Sequence, residues 1–210
     1  MRTKRIPLFP LDVVLLPGAT LPLHIFEQRY KLMISGCFNE NREFGIIQAG
    51  NNGVATVGCT AAITQKIKDY PDGRMDILTQ GRTAFRALKL LQEKEYHEVV
   101  VEYLSDVPTP RHESIDCRET DGLFALFQEC HSLIYGQIWV TTGTRPQWPL
   151  SYQLAARLPL DLEEKQKLLE IRDELNRQDF LIDWMNQLLP RLGNQQRARS
   201  TAAGTGHRLN

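Results

Sequence analysis

His24 and Glu27 stand close together in the sequence and form the first pair that could act as an acid and a base. Glu27 also stands at the start of a predicted helix, where a negative charge complements the positive end of the helix dipole. His24 is then a polar residue at the bend before that helix. We therefore predict a strand-to-helix junction at this pair and no catalytic dyad.

His-Glu occurs at residues 97–98 and 112–113, and each pair begins like the zinc-protease motif His-Glu-x-x-His. Val101 and Asp116 stand where the second histidine would have to be. The cysteines are widely separated, and none belongs to a Cys-x-x-Cys pair. The sequence therefore predicts no metal site, and we expect reduced, buried cysteines at Cys37, Cys59, Cys117 and Cys130.

Cys130, His131 and Ser132 place three reactive side-chain types in adjacent positions. Successive residues of a helix point about 100° apart, so these three side chains cannot converge on one reacting atom. The sequence contains no Gly-x-Ser-x-Gly elbow and no phosphate-binding loop ending in Gly-Lys-Ser or Gly-Lys-Thr. We therefore predict no catalytic residue and no cofactor, and we expect a protein that is not an enzyme.

The 210-residue chain carries 25 Lys and Arg residues against 25 Asp and Glu residues, so its formal net charge is zero. Zero net charge provides no overall attraction to nucleic acid or to an anionic membrane. No stretch reaches the roughly 18 consecutive apolar residues that a membrane helix requires. Prolines interrupt the chain after its basic N-terminus before any signal segment develops. We therefore expect a soluble, cytoplasmic protein.

The first half of the chain is predicted to be mostly strand. Prolines interrupt residues 6–26, which favours short strands and sharp bends over a helix. Apolar residues then recur with helical spacing and predict one amphipathic helix at residues 27–38. The turn sequence Pro-Asp-Gly at 71–73 predicts a β-hairpin. About six or seven short strands with one inserted helix favour a closed or nearly closed β-barrel.

The second half is predicted to be helical, beyond a boundary at the prolines of residues 108–110. Apolar residues have helical spacing at 123–138 and again at 181–192. Asp161 and Glu164 have the form of a capping box that opens a further helix. The predicted domains are a β-barrel at 1–107, an α-helical domain at 108–192 and a polar, disordered tail at 193–210.

The opening apolar segment is followed by further recognisable blocks in a fixed order. The blocks are 6–11 (IPLFPL), 14–18 (VLLPG), 21–27 (LPLHIFE), 44–47 (FGII), 57–59 (VGC), 72–74 (DGR), 81–82 (GR) and 158–161 (LPLD). Together they resemble the Lon protease N-terminal, substrate-binding domain family over residues 6–192. Gln28 departs from this pattern, because the family commonly has proline at that position.

The resemblance implies an α+β fold in which a PUA-like β-barrel precedes an α-helical bundle. In full-length Lon proteases this region helps to recognise unfolded or tagged substrates, ahead of an ATPase module and a peptidase. Because no ATPase motif occurs in the sequence, we expect a stand-alone, bacterial-type member without either module. The expected ligands are unfolded or tagged polypeptides, and a separate Lon-type protease is an expected partner.

Five residues are the predicted contacts of a bound peptide, namely Phe26, Arg29, Tyr30, Trp139 and Trp148. Trp139 and Trp148 bracket a polar segment at 140–147, and loops carry binding residues disproportionately. The alternative is that each tryptophan fills a gap between the barrel and the bundle. Tyr30 has an alternative too, because the helical spacing already places it in the core.

The predicted function is non-catalytic binding of exposed apolar segments of proteins. The alternative is an RNA-binding, PUA-like protein, but the zero net charge and the lack of alternating basic and aromatic residues count against nucleic acid as a partner. A hydrolase without a recognisable motif is a third hypothesis. The arginines of the C-terminal tail are interpreted as solubilising charges.

Overall fold

A computed structural model describes residues 3–50, 53–107, 117–140 and 148–205, with the backbone alone at 117–120 and 195–205. The strands are β1 (Thr3–Leu11), β2 (Thr20–Ile25), β3 (Phe44–Gly50), β4 (Gly53–Val54), β5 (Val57–Asp69), β6 (Met75–Leu91) and β7 (Glu98–Tyr103). The helices are α1 (Gln28–Asn39), α2 (Cys117–Tyr135), α3 (Leu150–Ala155), α4 (Leu162–Glu170) and α5 (Glu174–Thr205). The predicted α+β class is confirmed.

The chain forms two compact units. The first contains residues 1–107 and 147–172, and the second contains residues 108–146 and 173–210. α3 and α4 therefore belong to the unit of the strands, whereas the sequence analysis assigned them to the helical domain. The tail was expected to be disordered from residue 193, but α5 continues as a helix to Thr205, and residues 206–210 lie outside the described ranges.

β6 is the longest strand and organises the seven-stranded sheet. One edge of β6 pairs with β5, and the other edge pairs first with β2 at residues 75–80 and then with β7 at residues 85–91. β1 pairs antiparallel with β7 and parallel with β3, and β3 pairs with β5. The pairings thus run in a circuit through β1, β7, β6, β5 and β3.

β6 changes its neighbour at Gly81. The Gly81 N–H donates to the Ala19 carbonyl and the Gly81 carbonyl accepts from the Gly18 N–H, both at 2.9 Å. A β-carbon at Gly81 would lie only 2.2 Å from the carbonyl oxygen of Leu16. The close crossing of these two backbones therefore requires glycine.

The predicted hairpin and the predicted helix of the first half are both confirmed. β5 and β6 are joined by a turn in which Gly73 has a φ of 80° and donates to the Tyr70 carbonyl. α1 begins at Gln28 and buries Tyr30, Met33, Ile34 and Cys37. Phe38 was expected on the same face, but its ring is exposed beneath the ammonium group of Lys66, at 5.3 Å. Phe38 lies in the last turn of α1, where the helix leaves the core.

The core of the first unit is an apolar cluster between the strands. It is formed by Ile6, Leu8, Ile47, Phe85, Val99 and Val101. α4 begins with the predicted capping box, in which the Glu164 N–H donates to the Asp161 carboxylate and the Asp161 N–H donates to the Glu164 carboxylate, each at 2.8 Å. Gln166 of α4 donates to the carbonyl of Val57, which links this helix to β5.

The second unit is built on α2 and α5. Its buried side chains include Leu123, Phe127, Cys130, Leu181 and Met185, which follow the helical spacing seen in the sequence. Ile138 was expected to continue the face of α2, but the helix ends at Tyr135 and Ile138 is exposed. α5 passes through Pro190 without ending there. None of the described helices combines the length and apolar character needed to cross a membrane.

Glu98, at the start of β7, is a buried carboxylate held by two cations. Arg5 of β1 donates to its Oε2 atom, and the Lys94 ammonium lies 3.2 Å from its Oε1 atom. Burial by itself raises the pKa of this carboxyl group, but the hydrogen bonds from Arg5 and Lys94 outweigh burial and hold the pKa below its ordinary value. Ionised Glu98 therefore links β7 to β1 through its bond with Arg5.

Alanine at position 81 is expected to lower the free energy of unfolding by about 1 to 3 kcal/mol, because its β-carbon would overlap the Leu16 carbonyl. Denaturant unfolding measures this difference. The control is Gly36→Ala in α1, where a β-carbon meets no atom within 4 Å. That change should stabilise the protein by about 0.5 to 1 kcal/mol. Equal stability of Gly81→Ala and the wild type would contradict the tight crossing.

Glu98→Gln is expected to lower the free energy of unfolding at pH 7 by about 1 to 3 kcal/mol, because it weakens two charged hydrogen bonds. A lowered folded-state pKa stabilises the fold above the ordinary Glu range, and this contribution is lost as the pH falls through the lowered value. The variant should therefore lose less stability on acidification than the wild type. Glu93→Gln, at the exposed partner of Arg5, is the control, and parallel pH profiles for Glu98→Gln and the wild type would refute the assignment.

Candidate functional site

The first unit exposes a row of three rings where β2 ends and the β5–β6 hairpin turns. Phe26 is 60% exposed, and its ring stacks on His24 with centroids 6.1 Å apart and planes 22° apart. His24 in turn meets Tyr70 at 5.8 Å with planes at 84°. We call His24, Phe26 and Tyr70 the aromatic strip.

Asp76 fixes two of the three rings, those of His24 and Tyr70, through hydrogen bonds to its carboxylate. His24 and Asp76 are directly opposite each other on β2 and β6, and the His24 Nδ1 atom lies 2.5 Å from the Asp76 Oδ1 atom. The Tyr70 hydroxyl donates to the Asp76 Oδ2 atom at 2.9 Å. The bond with His24 first, and then the bond from Tyr70, hold the pKa of Asp76 below its ordinary value. One ionised carboxylate thus orients both rings.

Basic side chains surround the aromatic strip. The Lys68 ammonium lies 4.5 Å and the Arg74 guanidinium 5.0 Å from the centre of the Tyr70 ring, within range of cation–π attraction. Arg74 is also bound to the carboxylate of Asp72, whose carbonyl accepts a hydrogen bond from Lys31 of α1. The strip is therefore apolar at its centre and charged at its rim.

Arg29 and Tyr30 lie beside the strip but have different roles. Arg29 is at the surface, where its side chain donates to Glu27 at 2.9 Å and its guanidinium lies 4.8 Å from the centre of the Tyr30 ring. Tyr30 is only 5% exposed, and its ring packs on Phe9 with centroids 4.1 Å apart. Of the predicted contacts near the start of α1, Phe26 and Arg29 therefore offer a surface, whereas Tyr30 supports them from the core.

Trp148 borders a separate cavity of the first unit, which we call the Trp148 slot. The slot has a volume of about 260 Å³ and is lined by Pro17, Arg82, Leu104, Trp148, Pro149 and Tyr152, among others. The Trp148 ring packs against Gly18, where a β-carbon would come within 2.7 Å of the indole ring. The Trp148 carbonyl accepts a hydrogen bond from Gln153 at 2.7 Å. Trp148 is thus half-buried and fixed in place.

Trp139 belongs to the second unit and packs within an aromatic group on α2. Its ring lies 6.0 Å from Phe124 and 5.6 Å from Phe127, measured between centroids. The Gln128 side chain accepts a hydrogen bond from the backbone N–H of Trp139 and donates one to the backbone carbonyl of Trp139. These contacts half-bury Trp139 against α2, which ends at Tyr135. Residues 141–147, which were predicted to form a binding loop with the two tryptophans, lie outside the described residues.

The residues that resembled catalytic motifs have structural partners. Cys130 is buried, and burial raises the pKa of its thiol to about 11. His131 bonds to the Gln137 carbonyl at 2.8 Å, while Ser132 is exposed. The described residues include no cluster of His, Cys, Asp and Glu side chains suited to a metal ion.

A family model for the substrate-binding domain of ATP-dependent protease La (LON) matches residues 5–187. The chain belongs to this family. The Lon proteases of Buchnera aphidicola subsp. Baizongia pistaciae and Escherichia coli K12 are each 26% identical to it, over 93% and 95% of this chain. The aligned regions cover 26% and 27% of those proteins, so the chain spans about a quarter of the length of these curated relatives.

Two solved structures share the fold of this LON-family chain. The crystal structure of a Lon N-terminal domain protein from Xanthomonas campestris is 26% identical, with a TM-score of 0.62 over 87% of this chain and 99% of that chain. The N-terminal domain of a Mycobacterium avium complex Lon protease has a TM-score of 0.61, covers 87% of this chain and 98% of that chain, and is 19% identical. The resemblance found in the sequence is therefore confirmed.

Sequence reasoning missed Asp76 and Arg82. It considered only the nearby Glu27 as a neighbour of His24 and predicted no catalytic dyad there. In the structure Glu27 binds Arg29, and His24 binds Asp76. The partner of His24 lies on another strand, and only the β2–β6 register brings the two together. Arg82 belongs to the Gly-Arg block of the family resemblance, but nothing near it in the sequence indicates its contact with Trp148.

The Asp76 carboxyl group is expected to titrate below the ordinary Asp range, which ¹³C NMR of the side-chain carboxyls measures directly. His24→Gln should raise this pKa most, Tyr70→Phe less, and Lys68→Gln least, because the His24 bond is the largest cause of the lowering. The bond network persists above the ordinary range and is lost as the pH falls through the lowered value. An unchanged Asp76 titration in His24→Gln would contradict the proposed anchoring.

Proposed function

We propose that this chain is a non-catalytic polypeptide-binding module that holds exposed apolar segments of unfolded or tagged proteins on the aromatic strip. The observation that carries the proposal is the exposure of Phe26 on a rigidly held row of rings, in a chain of the LON substrate-binding family. Exposed aromatic surface on a globular unit commonly marks an interaction site.

The rigidity of the strip favours binding. Asp76 holds His24 and Tyr70 in fixed orientations before any ligand arrives, and His24 in turn backs the Phe26 ring. A surface whose side chains are already ordered loses less conformational entropy when a partner binds. Covering the exposed part of Phe26 contributes about 1 to 2 kcal/mol from apolar area alone.

The rim of the strip suits an irregular polypeptide. Arg29, Lys68 and Arg74 have long side chains that can cover apolar surface with their stems while their charged groups stay in water. Their carboxylate neighbours, Glu27 and Asp72, provide acceptors for backbone N–H groups of a bound chain. We infer that the strip selects apolar character at its centre and tolerates varied polar residues around it.

His24 and Asp76 also resemble the base and orienting acid of a hydrolase, which is the alternative function for this site. The described ring contacts of His24 are with Phe26 and Tyr70, and the Tyr70 hydroxyl is committed to Asp76. The described contacts of His24 include no serine or cysteine that it could activate. We therefore infer that the network orients rings and that the module is not an enzyme.

The proposed partners follow from the relatives. Because the matching curated proteins are Lon proteases, we propose that polypeptides bound here are passed to a Lon-type protease in the cytoplasm. Of the five residues proposed for peptide contact from the sequence, Phe26 and Arg29 belong to this surface.

Phe26→Ser is expected to weaken binding of a fluorescent, 15-residue unstructured peptide containing three leucines by about 5- to 30-fold, because about 1 to 2 kcal/mol of apolar contact is lost. Fluorescence anisotropy measures the affinity. The matched control is Leu88→Ser on β6, which removes a side chain of comparable exposure, 51%, away from the strip.

The same titration in low and high salt separates the peptide-binding proposal from RNA binding. Apolar peptide binding should hold or strengthen as salt increases, whereas RNA binding should fall steeply. A Phe26→Ser protein that binds the peptide as well as Leu88→Ser does would sink the proposal. Salt-sensitive binding of an oligouridine probe, without peptide binding, would support the RNA alternative instead.

A further inference from the structure

We propose that the Trp148 slot binds the C-terminal residue of a polypeptide, with an apolar terminal side chain against Trp148 and the terminal carboxylate on Arg82. This inference deepens the proposed function, on which it rests, because it adds a preference for chain ends to the binding of apolar segments.

The slot is created by the change of neighbour along β6. Residues 75–80 of β6 pair with β2 and residues 85–91 pair with β7, so residues 81–84 lie between the ends of these two strands. Arg82, Thr83 and Ala84 form the floor of the slot. The Leu104 N–H, just after β7, donates to the Ala84 carbonyl at 2.8 Å and fixes one end of the opening.

The walls of the slot are apolar and are formed before any ligand binds. Pro17 and Pro149 are conformationally restricted, and Trp148 is held by its contact with Gly18 and by the Gln153 bond. Tyr152 is buried behind them. The volume of about 260 Å³ is below the roughly 300 to 1,000 Å³ typical of small-molecule pockets. The slot therefore suits about one residue, not an extended segment.

Arg82 supplies a positive charge beside the apolar walls of this slot. Its guanidinium lies 5.7 Å from the centre of the Trp148 ring, and no carboxylate of the described residues forms an ion pair with it. Asp106 also lines the slot, but it is engaged in another interaction. A guanidinium binds a carboxylate through two parallel hydrogen bonds, so Arg82 is suited to an incoming carboxylate.

A C-terminal residue carries the two features of this slot on one α-carbon, an apolar side chain and a carboxylate. An internal residue offers only one of them, because its own carbonyl is part of a neutral peptide bond. Capture of a terminal carboxylate is a recurring mode of peptide recognition. A nucleic acid would need several cations along its backbone, whereas Arg82 is the one cation among the described lining residues.

The test compares two eight-residue peptides that end in phenylalanine and differ only in a free C-terminal carboxylate or a C-terminal amide. Phe26→Ser serves as the background protein, so that the aromatic strip contributes little to the affinity. The free acid is expected to bind about tenfold more tightly or better, because a charged hydrogen-bonded pair is lost in the amide. A third peptide, ending in serine with a free carboxylate, should bind as weakly as the amide.

Arg82→Gln should reduce the ratio of acid to amide affinity to about 1, whereas Arg82→Lys should leave an intermediate ratio because it keeps the charge but loses the paired hydrogen bonds. The matched control is Arg86→Gln on the same strand, whose guanidinium faces Glu102 at 3.9 Å. This control should preserve the full ratio. The near-ultraviolet circular dichroism of each variant checks that the tryptophans keep their packing.

Equal affinity of the Phe26→Ser protein for the acid and the amide would overturn the C-terminal inference, and so would a preference for the acid that survives Arg82→Gln in that background. Tight binding of an oligouridine probe that is lost in Arg82→Gln would also overturn it, in favour of nucleic acid. Because Phe26→Ser is the background, these results do not depend on binding to the aromatic strip. The proposed function fails separately, if Phe26→Ser leaves the binding of internal apolar segments unchanged.

Discussion

β6 pairs with two different strands along one edge, and the rest of the first unit depends on this change of pairing partner. β2 occupies residues 75–80 of this edge and β7 occupies residues 85–91. At Gly81 the incoming backbone of Leu16 comes so close that no side chain fits. Because Gly81 has no β-carbon, β6 can pair with β2 on one side of this residue and with β7 on the other. The change of partner leaves an opening beside residues 81–84.

Both candidate binding surfaces are consequences of this arrangement. The β2–β6 register places His24 opposite Asp76, and the hairpin returns Tyr70 to the same carboxylate. The rings of the aromatic strip therefore come from two separate parts of the chain, and one charged group, Asp76, holds His24 and Tyr70 together. The opening beside Gly81 is bordered by Trp148, which follows residues 108–146 of the second unit in the sequence but belongs to the first unit.

Structural features that depend on neighbouring residues were predicted correctly from the sequence. The helix at α1, the Pro-Asp-Gly hairpin and the capping box at Asp161 depend on residues within one or two turns of each other, so local pattern contains the needed information. Errors arose where tertiary contact decides. Phe38 continues the helical spacing but leaves the core, and Tyr30 looks like a possible ligand contact but packs on Phe9.

The sequence by itself determined the α+β class, the membership in the LON substrate-binding family, and the identities of the exposed Phe26 and the half-buried Trp148. Only the tertiary structure decided that His24 belongs with Asp76 and that Arg82 lies beside Trp148. The reason is that strand register and backbone crossings bring together residues separated by more than fifty positions. Local spacing records which face a side chain occupies, but not which distant side chain meets it there.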